Sequence, residues 1–165
     1  MGHSASKTNR AQLLIGLAAL LLGTMVYVLD RPADQAFVPS AISLFASTPS
    51  VFGVVGRSLP AFAHVFAFSL LTAALLADAK KTAVIVCLGW FLVDAAFELG
   101  QRAPIAQWLS KLIPPWFAHL PILDKTGRYF LHGTFDPSDI FAIALGAFAA
   151  YLVIQNTRRR ERHDA

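Results

Sequence analysis

Residues 82–101 read TAVIVCLGWFLVDAAFELGQ, between Lys80-Lys81 on one side and Arg102 on the other. From Thr82 to Val93 there is no charge. About 20 such residues are needed to cross roughly 30 Å of hydrocarbon, so the stretch reads as a membrane span. It closes on three polar side chains, Asp94, Glu98 and Gln101, at i, i+4 and i+7. At about 100° per residue these fall within an arc of roughly 60°, on one helix face, with Trp90 a turn below. Polar groups in lipid are costly and need a partner or a task. The stretch therefore predicts an all-α integral membrane bundle and marks one end of it as the place for a site.

The rest of the chain extends that reading. It has 165 residues, 56% hydrophobic and 15% charged, with mean hydropathy +0.55. A soluble domain is usually about 45–50% apolar and about 25% charged. The apolar excess gathers into charge-free runs, which predict about four transmembrane helices at 11–29, 59–77, 82–99 and 137–154. Residues 1–165 then form a single membrane domain, with outer segments at 30–58 and 100–136 and a basic tail at 155–165. Lys7 and Arg10 before the first run resemble a signal peptide. The run is long, and no small-x-small site follows it before Asp30, so it reads as a retained anchor.

Orientation follows from the cations. With the N-terminus cytoplasmic and four spans, Lys80-Lys81 and the cluster Arg158-Arg159-Arg160 with Arg162 all face the cytoplasm. A fifth span at 36–56 would put both clusters outside. Pro39, Pro49, Gly53, Gly56 and several serines also break that segment, so it reads as interfacial or re-entrant. In the second outer segment Trp108, Leu109, Leu112, Ile113 and Trp116 recur at helical spacing until Pro114-Pro115 interrupts them. Either a short amphipathic helix lies in the headgroup region, with Trp108, Trp116 and Tyr129 as belt residues, or a folded loop caps the bundle.

Small residues recur at packing spacing: Gly16 and Gly23, Ala63 and Ala67, and Ala142, Gly146 and Ala150. They allow close backbone approach, within the bundle or against a partner. Net charge is +4 and the isoelectric point about 9.6. Topology accounts for that balance, and no nucleic-acid motif is present. One cysteine, Cys87, excludes an intramolecular disulfide and a cysteine zinc cluster. There is no Gly-rich phosphate loop, nucleophile elbow or metalloprotease motif, and neither a cofactor nor a metal site is expected.

The candidate site is the polar set at the outer ends of the spans. His64 lies a turn into the second span, and Asp136 and Asp139 open the fourth. The topology brings His64, Glu98, Gln101, Asp136 and Asp139 to a similar depth, with Asp94 deeper. Two close carboxylates would retain a proton, and a histidine could shuttle it. Carboxylates with a histidine could also hold a divalent cation against a phosphate, and Arg102 and Arg128 could clamp an anion. Structural readings stand beside these. Asp136 suits an N-cap with Pro137 at N1 and Asp139 at N3. His64 and Asp94 could each serve only to join helices. His119 and His132 flank the outer segment; His3 and His163 are weaker candidates.

The pattern resembles the VanZ-like membrane proteins. In these a His opens one span, a Glu-x-x-Gln closes the next, and an acidic residue with a glycine seven positions on marks the last. Here those are His64, Glu98 with Gln101, and Asp139 with Gly146, over roughly residues 59–152. Thr134 stands where the family has an Arg, Ile143 where it has an Asn, and the outer segment 102–132 is longer. The resemblance implies a bacterial inner membrane, a cell-envelope setting and an association with teicoplanin resistance, without a reaction. The function expected is binding or processing of a lipid-linked or surface ligand at the outer leaflet. The alternatives are a structural or assembly subunit of a larger membrane complex or homo-oligomer, and an ion- or proton-coupled transporter.

Overall fold

A computed structural model describes residues 8–32, 42–45, 50–76, 80–120 and 123–163, without the side chains of 80 and 160–163. The expectation for 36–56 falls partly outside these ranges, at 36–41 and 46–49. Outside them too lie His3, Lys7, Pro39, Pro49 and Ala77, and the side chains of Lys80, Arg160, Arg162 and His163. Among the described residues every regular element is helical. The helices are α1 (Arg10–Asp30), α2 (Leu59–Leu75), α3 (Lys80–Gly100), α4 (Ala103–Leu112), α5 (Thr126–His132) and α6 (Pro137–His163).

Local chemistry sets their ends. The Asn9 side chain accepts the Gln12 N–H at 3.0 Å and so caps α1. Arg31 is extended and Pro32 follows it, which stops that helix. Proline in the first turn opens both α2 and α4, where its missing N–H costs nothing. Asp136 caps α6, its carboxylate accepting the Ser138 N–H at 2.8 Å.

Four helices run up, down, up and down. α2 and α6 lie side by side and parallel at the centre; α1 packs antiparallel on α2, and α3 packs antiparallel across both. Gly146 makes the central contact close: a Cβ there would stand 2.6 Å from the Phe62 carbonyl oxygen and from Val65 Cγ1. Gly16 faces Leu71 and Ala67, and Gly23 faces Ala63. Ala142 and Ala150 are buried on α6. Each of these small residues thus lies inside the chain's own bundle. The core is made of small and branched side chains, Leu70, Ala73, Ala83, Val86, Ala150 and Ile154 in one half, Val65, Ile143 and Ala147 in the other.

Large apolar side chains lie outside instead. Leu14, Leu17 and Leu21 on α1, Ile85, Leu88 and Leu92 on α3, and Phe141, Phe148 and Leu152 on α6 are all exposed. Among the described residues three helices are long and apolar enough to cross a membrane: Arg10–Asp30, Lys81–Gly100 and Pro137–Arg159. The sequence reading counts four. α2 has 17 residues, about 25 Å of helix, because Leu76 turns extended and ends it. The boundary of α6 differs as well. Helix continues through the expected tail from 155 to His163, in one element of 27 residues. Arg, Gln and Glu are good helix formers, so hydropathy falls there while helicity does not.

Two ends result. At the basic end the Asn9 N–H donates to the Ala74 carbonyl at 3.3 Å, and Gln12 Nε2 donates to Thr157 Oγ1 at 2.8 Å. These bonds tie the start of α1 to the ends of α2 and α6. At the carboxylate end lie Asp30, Glu98, Asp136 and Asp139, with α4 and α5 folded over the end of α3. Phe130 of α5 packs so closely on Gly100 that a Cβ there would meet its ring at 2.8 Å.

Candidate functional site at the carboxylate end

Glu98 occupies the middle of this end. Helical spacing brings it to the closing turn of α3, where it is 7% exposed. Its Oε1 accepts the Asp136 N–H at 2.9 Å, and its Oε2 accepts from Gln101 Nε2 at 3.3 Å. The first bond crosses 38 residues and fixes α3 to the start of α6. A carboxylate there also satisfies an amide at the positive end of a helix. Gln101 Nε2 donates as well to the Tyr129 hydroxyl at 2.9 Å. Burial, with the neighbouring acidic groups, pushes the Tyr129 phenol up to about 12. Gly133 lets this assembly close, since a Cβ would collide with Gln101 Oε1 and the Tyr129 carbonyl.

His64 and Asp94 form a second unit. His64 Nδ1 lies 3.0 and 2.9 Å from the two oxygens of Asp94. The carboxylate accepts, so Nδ1 carries the hydrogen of this bond and Nε2 takes no part in it. The Phe68 ring lies 4.4 Å from the His64 ring, and Trp90 stacks on Phe68 at 4.8 Å. The Trp90 N–H is held by Thr72 Oγ1 at 3.0 Å. Asp94 is 9% exposed, while His64 is 47% exposed. The pair places His64 level with Asp94, a turn below Glu98, rather than at the depth of Glu98, Gln101, Asp136 and Asp139 that the sequence reading gives it.

Asp136 and Asp139 divide the opening of α6 between them. Asp136 is the cap, and its bonds to Ser138 hold its carboxyl below the usual range. Asp139 turns inward towards Ser58, and its Oδ1 is buried and accepts no hydrogen bond. Tyr27 of α1 lies within electrostatic reach of Asp139, Glu98 and Asp94, and Tyr129 within reach of Tyr27. Glu98 thus meets the start of α6 across the bundle, while the His64–Asp94 pair lies a turn deeper.

Among the described residues no three His, Cys, Asp or Glu side chains come together as a metal-holding group. The geometry thus gives no support to a cation bridge. Arg102 lies 5.2 Å from the Phe135 ring centroid, a cation–π contact. Arg128, His119 and His132 are exposed.

The sequence reading missed Asp30 and Tyr27. Asp30 receives the Val51 and Phe52 N–H groups, each at 2.8 Å, and the Ser50 hydroxyl at 2.6 Å. Arg31 beside it donates to the Arg57 carbonyl at 3.1 Å. One signal was available: a carboxylate ending an apolar helix, with a loop rich in Ser and Gly downstream whose amides need acceptors. Tyr27 had only its place one turn before Asp30.

Comparison with protein-family models, curated proteins and solved structures finds no match to the chain.

Proposed function

We propose that this chain is a VanZ-like, multi-pass protein of the bacterial inner membrane that binds or processes a lipid-linked or surface ligand at the outer leaflet. In this reading α2 crosses as the fourth span, and both termini and the basic end are cytoplasmic. The apolar exteriors of α1, α3 and α6 support a bilayer setting, and the cations gathered at one end support the orientation.

The half-exposed His64 carries the functional part. A buried carboxylate orients its ring through Nδ1, and the side chain is 47% exposed, with Nε2 outside that bond. An imidazole so placed accepts a hydrogen bond or a proton from a polar group beside the bundle. Asp139 Oδ1 is a second unfilled acceptor at the same end. Glu98 and Gln101 are already engaged, so their part is to hold the frame.

Native mass spectrometry of protein extracted in mild detergent tests the proposal. The expected result is a retained lipid-linked or surface ligand that His64→Ala and Asp139→Asn both lose. Asp139→Asn should unfold with the parent, and His64→Ala, which leaves the Asp94 carboxylate unpaired, should lose about 1–3 kcal/mol yet stay folded. Retention of that ligand by both variants, or a stoichiometric protein partner with no such ligand, overturns the reading.

A further inference from the structure

The basic end holds an open groove of about 700 Å³ between the start of α3 and the end of α6. Its described lining is Lys81, Val84, Ile85, Tyr151, Gln155 and the Arg158-Arg159 pair, with no carboxylate among them. Cations thus form the rim, and a tyrosine with two branched aliphatics forms the wall. Arg158 is 5% exposed and lies behind the rim formed by Lys81 and Arg159.

The groove does not end at its apolar wall. A shallow furrow of about 210 Å³ continues from Ile85 along α3, lined by Val86, Gly89, Trp90 and Val93. Lys81, Ile85, Gly89 and Val93 follow one another at intervals of four, so they form a single ridge row. Gly89 is the gap in it, for a Cβ there would meet nothing within 4 Å. The row spans about 18 Å at 1.5 Å per residue. It places cations at one end, then a strip of apolar surface with a notch midway.

We propose that this groove and furrow bind one anionic phospholipid from the adjacent leaflet. Lys81 and Arg159 hold its phosphate headgroup, with Arg158 behind them, and an acyl chain lies over Ile85, Gly89 and Val93. Charge complementarity selects the headgroup, and the furrow selects a lipid over a free phosphate. The inference requires a bilayer around the bundle, and it is independent of the site at the carboxylate end.

A native mass-spectrometry titration with phosphatidylglycerol and phosphatidylcholine tests this. The parent protein is expected to bind phosphatidylglycerol first. Lys81→Gln with Arg159→Gln should weaken that binding about thirtyfold, while Lys81→Arg with Arg159→Lys keeps it. Gly89→Leu should weaken it several-fold with every cation in place. Helix content by circular dichroism should be the same in all variants. Equal binding of both lipids by the parent, or no loss in the glutamine variant, overturns the proposal. So does Gly89→Leu binding like the parent while inorganic phosphate displaces the lipid, since that marks a site for phosphate alone.

Discussion

The two ends of the bundle solve the same problem in opposite ways. At the carboxylate end, most acceptors are met from within the chain, Asp139 Oδ1 excepted. Glu98 takes a backbone amide at the start of α6, Asp136 takes another, and Asp30 takes two from the loop that follows α1. At the basic end, Lys81 and Arg159 line an open groove in which no described side chain offers a carboxylate. Helix starts and loops present unpaired N–H groups that suit carboxylates. Both ends of the bundle contain helix starts, so the contrast lies in the side chains: Asn9 caps α1 at the basic end, where the carboxylate end has Asp136 at the start of α6 and Glu98 bonded to its amide. One end is largely closed by its own chain, and the other is, on the proposal above, completed by lipid.

The largest test of that contrast lies between the two ends. Both depend on α2 and α6 staying in contact at Gly146. Gly146→Leu should cost about 3 kcal/mol or more, since even a Cβ would meet backbone. Thermal unfolding in detergent measures it, and near-parent stability would show that the central pair is not the frame. Next comes Glu98. Glu98→Leu leaves the Asp136 amide unpaired and should cost about 1–3 kcal/mol, whereas Glu98→Gln keeps an acceptor and should cost well under that. Equal losses would mean that the charge matters, not the bond to α6.

A pH ramp gives a smaller effect at the carboxylate end alone. The folded Tyr129 phenol is raised from 10.0 to about 12. Its contribution is whole below pH 10 and is lost as pH climbs through 12. The decline between those values should be of order 2 kcal/mol after discounting for partial exposure. Tyr129→Phe should flatten it, and an unchanged slope would assign it elsewhere. The smallest change is local. Asp30→Ala should speed amide exchange at Val51 and Phe52 about tenfold while the rest of the bundle exchanges as before.

Much of the frame was legible in the sequence because lipid imposes simple conditions. Charge-free runs gave α1, α3 and most of α6; the spacing from Trp108 to Trp116 left helix and folded loop open, and α4 runs from Ala103 only to Leu112. Pro137 and Asp136 together gave the start of α6. The length of α2 was hidden, because Leu76 continues the apolar run while its backbone leaves the helix. The end of α6 was hidden by its charges. In the site, the shared face of Asp94 and Glu98 followed from their spacing. Their partners did not. A backbone amide 38 residues away bears no mark in sequence, and which carboxylate His64 meets depends on how α2 is set against α3. Hydrogen bonds between neighbours in space are settled by offsets of a few ångström that hydropathy does not encode.

In the proposed membrane setting the shortness of α2 bears on the bilayer around it. A span exposed to lipid must match the hydrocarbon thickness or distort it. α2 packs on α1, α3 and α6 along most of its length, and only Leu75 and Leu76 at its end are exposed among its large apolar side chains. The thickness felt by lipid would then be set chiefly by its three longer neighbours, and their tilt would accommodate a thicker or thinner membrane.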